Sequence, residues 1–352
     1  MGAALTGAAT DAIRATAGSR RMAVISDSNV SLLHAAPLAR ALAVPGDDCF
    51  TVPAGEASKS RAEWGRLTDA MLARGFGRDS VVIAVGGGVV GDLAGFVAAT
   101  YMRGVPLVQV PTSLLAMIDA AIGGKTGVDT AAGKNLVGAF HQPLLVVVDP
   151  EALRTLPAAH LRNGLAEALK HAVITGRAEF DWFVANAAAM VRSSGPDAAI
   201  IAELVERNVA IKASVVARDE RENGIRKSLN FGHTIGHAIE TVAGFSILHG
   251  ECVAIGMRVE AMIAQALGLA GTSLVPELEQ ALCALQLPLR PTAAMRADDV
   301  LAATRSDKKA RAGTVEYALV REIGAVAGSE HSYGTRVADD VVLAALANAL
   351  NA

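Results

Sequence analysis

Apolar residues in the first half of the chain come in short, dense runs. "MAVISD" (22–27), "SVVIAV" (80–85), "PLVQV" (106–110) and "LLVVVD" (144–149) are too short for helices and rich in β-branched residues. Continuous runs of that length are expected of strands buried on both faces. Between them "RAEWGRLTDAMLARG" (61–75) has helical period and stops at a glycine. The alternation predicts a parallel α/β domain over residues 1–156. After "DPEALRTLP" (149–157) the period becomes helical almost throughout, as in "LRNGLAEALKHAVI", "AAIIAELVERNVAIKASVVARD", "ECVAIGMRVEAMIAQALGL" and "DDVVLAALANAL". Strand signal there is confined to "TVEYALV" (314–320), so an all-α domain is expected over residues 157–352.

A chain of 352 residues is long enough for two such cores. With 52% hydrophobic and 19% charged residues it is globular, and a net charge of −3 without a basic run argues against nucleic acid. Cys49, Cys252 and Cys283 are far apart and form no CxxC, which fits a reducing compartment. The N-terminus has no apolar signal-like core; Met-Gly with Thr6 touches the myristoylation pattern too briefly to count. The run 105–118 is broken by Pro106 and Pro111 and is too short to span a bilayer, so a cytoplasmic protein without a membrane or nucleic-acid partner is expected.

Two glycine-rich segments suggest anion sites. Gly86-x-Gly88-x-x-Gly91 follows a predicted strand and opens a helix, where backbone N–H groups face a phosphate. It follows at least the third apolar segment, not the first as in the usual Rossmann arrangement, and a glycine turn that only packs helix on strand is the competing reading. The stretch 111–143 reads as a long functional loop holding Asp119, Lys125, Lys134 and Asn135 among small residues. Its "GGKT" is not a Walker A motif, because that motif needs glycine where Asp119 stands. The lysines suit a phosphate; two solvated surface lysines are the bland alternative.

"LNFGHTIGHAIE" (229–240) sets His233 and His237 one helical turn apart, the spacing of a ligand pair, though without HExxH. Glu167, His171, His249 and Glu251 are further candidates for a third ligand. From spacing alone either a metal or ordinary core histidines remain open. Arg226 and Asn230 precede the pair at helical spacing, so one helix face is expected to present Arg226, Asn230, His233 and His237 together. With Lys170 and Lys212 these charges match a multiply anionic ligand.

"GGGVVGDLAGFVAATYMRG", "PTSLLAMIDAAIGGKTGVDTAAGKNLVGAFHQP", "GLAEALKHAVI", "DERENGIRKSLNFGHTIGHAIE", "HGECVAIGM" and "DKK" occur in this order between about residues 22 and 320. Together they resemble the 3-dehydroquinate synthase family. The resemblance implies an α/β, Rossmann-like NAD-binding domain and an α-helical metal- and substrate-binding domain, with the active site in the cleft. It implies conversion of 3-deoxy-D-arabino-heptulosonate 7-phosphate to 3-dehydroquinate and phosphate, in the shikimate pathway. The family's route is transient oxidation by NAD, phosphate elimination, reduction, ring opening and aldol closure, with a divalent metal, zinc or else cobalt.

Carried over by motif, the metal ligands are Glu167, His233 and His249, while His237 faces the substrate phosphate. NAD is implied to meet Asp27, Asn29, Glu56, Lys59, Gly88, Val89, Val90, Gly91, Asp92, Thr112, Ser113, Lys125, Lys134, Arg154 and Thr155. Substrate is implied at Asp119, Lys125, Asn135, Lys170, Lys212, Arg226, Asn230 and Lys308 of "DKK". Arg103 of "YMRG" also matches, in a family position that reaches a neighbouring subunit, so a homodimer is expected. Asp129 departs from the asparagine frequent at that position. The competing functions are another sugar phosphate cyclase, a metal-dependent polyol dehydrogenase and a catalytically silent NAD-binding module.

Overall fold

A computed structural model describes residues 7–131, 133–305, 315–329 and 333–351. The chain divides into two compact units, Met1–Pro157 and Ala158–Ala352.

The first unit is built on β1 (Arg21–Asp27), β2 (Cys49–Val52), β3 (Ser80–Gly86) and β4 (Leu107–Pro111), with two further elements, the hairpin β5 (Lys125–Thr130) and β6 (Gly133–Phe140), preceding the short β7 (Leu145–Val146). The open sheet has the order β2-β1-β3-β4-β7, and every pair in it is parallel. Ala23, Ile25, Val82, Ala84 and Leu107 point to one face, where they join residues of α3 (Arg61–Ala73) and α4 (Gly88–Thr100). Val24, Val81, Ile83, Val85, Val108 and Val110 point to the other, against α1 (Gly7–Ala17) and α2 (Ala36–Ala41). Period-two side chains buried on both faces explain why these strands read as unbroken apolar runs.

The strand order resolves the objection raised by the late glycine loop. The chain places β2 on one side of β1 and β3 on the other, so the direction of winding reverses between β1 and β3. Ligands of open α/β sheets bind at such a reversal, outside the carboxyl ends of the strands. The glycine loop leaves the end of β3 and therefore flanks the switch point although it follows the third strand.

Two features of this first unit differ from the reading of the sequence. Residues 111–143 are not one long loop: a π-helical turn (Ala116–Ala120) is followed by the antiparallel β5–β6 hairpin. Gly127 and Gly138 face each other in that ladder, and a Cβ on Gly138 would lie 2.1 Å from the Thr126 carbonyl oxygen. The close pairing demands glycine, which removes the β-branched signature of a strand. Strand β2 is four residues long and leaves too little pattern to be read.

The second unit contains α5 (Ala158–Thr175), α6 (Arg177–Met190), α7 (Ala198–Arg218), α8 (His233–Val242), α9 (His249–Ala266), α10 (Leu274–Ala284), α11 (Ala297–Thr304) and α12 (Asp339–Asn351). Its core joins α8, α9, α11 and α12. Among the described residues two small antiparallel pairs accompany the helices, Glu316–Tyr317 with Thr335–Arg336 and Val320–Glu322 with Ala325–Val326.

Candidate active site and metal centre

In the helical unit three elements converge on one carboxylate. Glu167 lies on α5 and is 1% exposed. Its Oε1 is 3.3 Å from His233 Nε2 at the start of α8 and 3.3 Å from His249 Nε2 at the start of α9. The donor atoms of His233, His237 and His249 lie within 4.8 Å of one another. Lys170, one turn along α5 and also buried, donates to Glu167 Oε2.

Glu167 Oε1 is buried and receives no hydrogen bond of good geometry. Leaving a buried carboxylate oxygen unsatisfied costs on the order of 1–3 kcal/mol, so its placement needs a reason. Two ligand atoms bound at 2.0–2.1 Å in a tetrahedron lie about 3.3–3.4 Å apart. Both Oε1–Nε2 separations match that spacing, and one carboxylate with two imidazoles is a donor set suited to zinc or cobalt. The residues fit a divalent ion.

The buried charges balance one another around the carboxylate. Burial works to raise the Glu167 pKa, but the Lys170 ammonium and the neighbouring imidazoles hold it well below the usual carboxylate range. Burial pulls His233 down to about 3, so its ring is neutral with a lone pair to give. Burial works on His249 in the same direction, yet the adjacent Glu167 and Glu240 carboxylates raise it to about 9. Glu240 Oε2 is 3.4 Å from His249 Nδ1, the carboxylate–histidine arrangement that orients a metal-binding ring.

The expected continuous stripe from Arg226 to His237 is broken. Arg226 and Asn230 lie in a 3-10 turn (Ile225–Asn230), and Gly232, with φ 81°, separates it from α8. The cause is the approach of α9: a Cβ on Gly232 would be 2.5 Å from Met257 Cγ and 2.8 Å from the Val253 carbonyl oxygen. His233 and His237 share the α8 face, whereas Arg226 is set by its own loop. The Asp219 carboxylate accepts from the backbone N–H groups of Asn223, Gly224 and Arg226, and the Arg226 guanidinium, itself buried, donates to the Glu220 carbonyl. Asn230 Nδ2 donates to Glu222 Oε1 at 2.7 Å. Lys212 is buried on α7. Buried His171 of α5 meets Asn208 of α7 at 2.9 Å. Lys308 lies outside the described residues.

In the α/β unit most of the expected nucleotide residues follow the carboxyl ends of the sheet strands, whereas Lys125 and Lys134 lie on the β5–β6 hairpin. Asp27 ends β1, and its Oδ1 accepts from the N–H groups of Asn29 and Val30. Glycine at 87 leaves the start of α4 without a side-chain cap, so the first-turn donors over Gly88, Val89 and Val90 face outward from the helix end. The other glycines have a packing role. A Cβ on Gly86 would meet Val90 at 2.6 Å, and one on Gly91 would meet Gln109 of β4 at 3.0 Å. Gly86 and Gly91 thus carry the packing reading of the motif, while the uncapped start of α4 leaves its N–H groups open to an anion.

Lys59, 5% exposed, pairs with Asp92 at 2.6 Å and Glu56 at 3.9 Å, and Lys134 reaches Glu56 at 3.3 Å. Burial lowers the Lys59 pKa, but Asp92, Glu56 and Asp129 outweigh it and keep the ammonium charged. Thr112 N donates to the Gly86 carbonyl, and Ser113 Oγ accepts from Ala116 N. Thr155 Oγ1 is 2.7 Å from His34 Nε2, while exposed Arg154 is turned to Glu151. Asp119 lies in the π-turn and Lys125 opens β5. Asn135 adopts φ 54°, held by a bond from its N–H to Asp129. Arg103 lies in a 3-10 turn with φ 67°.

Reading the sequence missed Glu240, Asp219, Gly232 and His34. Only Asp219 left a local trace, an aspartate followed at 223–224 by Asn-Gly.

Residues 49–163 match the model of the 3-dehydroquinate synthase N-terminal domain, and residues 164–310 match that of the C-terminal domain. The 3-dehydroquinate synthase of Symbiobacterium thermophilum is 48% identical over 303 residues, 85% of this chain and 84% of that protein. Among solved structures, 2-deoxy-scyllo-inosose synthase complexed with carbaglucose-6-phosphate, NAD+ and Co2+ superposes with a TM-score of 0.88 at 25% identity, covering 99% of this chain and 96% of that one. The 2-epi-5-epi-valiolone synthase of Streptomyces hygroscopicus, with NAD+ and Zn2+ bound, has a TM-score of 0.81 at 32% identity, covering 94% and 90%.

Proposed function

The chain belongs to the 3-dehydroquinate synthase family, and on that premise we propose that it converts 3-deoxy-D-arabino-heptulosonate 7-phosphate to 3-dehydroquinate and phosphate. The observation that carries the reading is Glu167 Oε1 lying 3.3 Å from both His233 Nε2 and His249 Nε2. When bound, NAD supplies a transient two-electron oxidation, and the divalent ion supplies a Lewis acid for the hydroxyl being oxidised.

We assign Glu167, His233 and His249 to the ion, with Glu240 orienting His249. Lys170 and His237 are assigned to the substrate phosphate, and Lys212, Arg226 and Asn230 to the side of its carboxylate. Asp219 fixes the Arg226 loop so that the guanidinium is in place beforehand, which is how bound charge lowers a barrier without reorganisation. Asp119, Lys125 and Asn135 are assigned to substrate as well. Asp27, Asn29, Glu56, Lys59, residues 88–92, Thr112, Ser113, Lys134, Arg154 and Thr155 are assigned to NAD. Residues 1–156 thus form the nucleotide-binding domain and 157–352 the metal- and substrate-binding domain.

No helix among the described residues is long and apolar enough to cross a membrane. Free thiols at Cys49, Cys252 and Cys283 support placing the enzyme in the cytoplasm, and Arg103, at a family position that reaches a neighbouring subunit, supports a homodimer.

The test is phosphate release from the heptulosonate phosphate with catalytic NAD and zinc, while absorbance at 340 nm is followed. Many turnovers without net NADH are expected. Stoichiometric NADH would make the protein a dehydrogenase, and no release would point to another cyclase substrate.

A further inference from the structure

One fully buried carboxylate of the helical unit has no part in these assignments. Glu260 lies on α9 and is 0% exposed. Its Oε2 accepts from the backbone N–H of Gly232 at 2.7 Å, and its Oε1 accepts from that of Ile235 at 3.2 Å. These donors belong to the start of α8, whose first residue is His233.

The arrangement follows from packing. α8 and α9 approach so closely that position 232 must be glycine with a left-handed φ. A glycine has no side chain with which to cap its own helix, and α8 has no cap of that kind. The helix against which it packs provides the acceptor instead. A carboxylate is suited to this place, because it meets the positive end of the α8 dipole and two unpaired donors at once. Burying a charge is costly unless it is so satisfied, which restricts where α8 can begin relative to α9.

Glu260 is eleven residues beyond His249, three helical turns along the same face of α9. One helix therefore carries His249 at its start and the clamp on His233 further along. A parallel contact holds α9: Asn163 Oδ1, one turn before Glu167 on α5, accepts from Gly250 N. Each histidine helix thus begins on a side chain from another helix of the cluster.

We propose that Glu260 is a positioning residue of the metal centre: by clamping the first turn of α8 it sets His233 against His249 and Glu167. The proposal rests on the assignment of those three residues as metal ligands.

The test is zinc affinity of the full chain, measured by competition with a chromophoric chelator, together with the visible spectrum of the cobalt form. Glu260→Gln keeps one acceptor but sets an amide N–H against the other donor; Glu260→Ala removes both acceptors. Loss of an outer partner of a ligand typically weakens metal binding about 10–100-fold. About 10-fold weaker zinc binding is expected for Glu260→Gln and about 100-fold for Glu260→Ala, each with an altered cobalt spectrum. Leu346→Ala, in the same core on α12, lowers stability without touching the clamp and should leave zinc affinity and spectrum unchanged.

Wild-type affinity in both Glu260 variants would overturn the proposal. So would an equal loss in Leu346→Ala, or failure of both Glu260 variants to fold, since Glu260 would then serve the fold at large. His233→Ala separates the premise from the inference: undiminished zinc binding in that variant would remove the metal assignment itself.

Discussion

The two halves of the chain prepare for their ligands in opposite ways. At the β3–α4 junction the α/β unit offers mostly backbone, and its essential residues are those without side chains. At the meeting of α5, α8 and α9 the helical unit offers side-chain atoms, with a carboxylate, three imidazoles and an ammonium packed together. The first arrangement is sensitive to volume and tolerant of chemistry. The second is sensitive to chemistry, because each buried charge is balanced by a particular neighbour. Substitutions should divide along the same line.

The largest effect is expected where chemistry alone is removed. His249→Ala takes away one imidazole at a position that is 29% exposed, so the fold should survive. Loss of the ion should lower phosphate release at least about 10³-fold, equivalent to about 4 kcal/mol. Zinc content and steady-state rate measure it together. A folded variant with full activity and no zinc would end the contrast.

Lys170→Met tests whether the balance is local. Removing one partner of a buried ion pair costs about 3–5 kcal/mol. That cost should appear in urea unfolding of the chelator-treated protein and shrink when zinc is present, because the ion then compensates Glu167. Equal destabilisation in both conditions would mean that Lys170 matters only for packing.

Gly86→Ala tests the opposite side. The added methyl would lie 2.6 Å from Val90, so an overpacking cost of about 1–3 kcal/mol is expected. NAD titration should show weaker binding, since α4 must shift. Adding Val90→Ala makes room and should restore most of the melting temperature. Failure of that rescue would show that the site depends on more than volume.

The same division decided what could be read from the chain. Strands β3 and β4, buried on both faces, announce themselves as valine-rich runs, and the glycine motif marks its turn. The β5–β6 hairpin is hidden because Gly127 and Gly138 must lie against each other. His233 and His237 stand out by spacing, but their connection to Glu167 crosses three helices and came only from the resemblance to a family. Glu240 and Glu260 have no local signature, since their partners lie 9 and 25–28 residues away. The stripe over Arg226–His237 failed because helical spacing continues through Gly232 on paper, whereas contact with α9 forces a break there.

Asp48 carries the contrast to its smallest scale. It is a buried carboxylate like Glu167, 2% exposed in its side chain, but its partners Arg21 and Arg74 are 38% and 39% exposed. Hydrogen bonds from Arg21, opposed by burial and supported by Arg74, hold its pKa below the usual carboxylate range. A depressed carboxylate stabilises the fold above its unfolded pKa, and that contribution disappears as pH falls through the folded value. Water screens the arginines, so Asp48→Asn should cost only about 1 kcal/mol near neutral pH. The difference between wild type and variant in urea midpoint should be constant down to about pH 4 and then close. It should also weaken with salt, whereas the Lys170 effect should not, because solvent reaches one pair and is excluded from the other. A salt-insensitive Asp48 would place it with Glu167 and make burial of the carboxylate, not exposure of its partner, the deciding quantity.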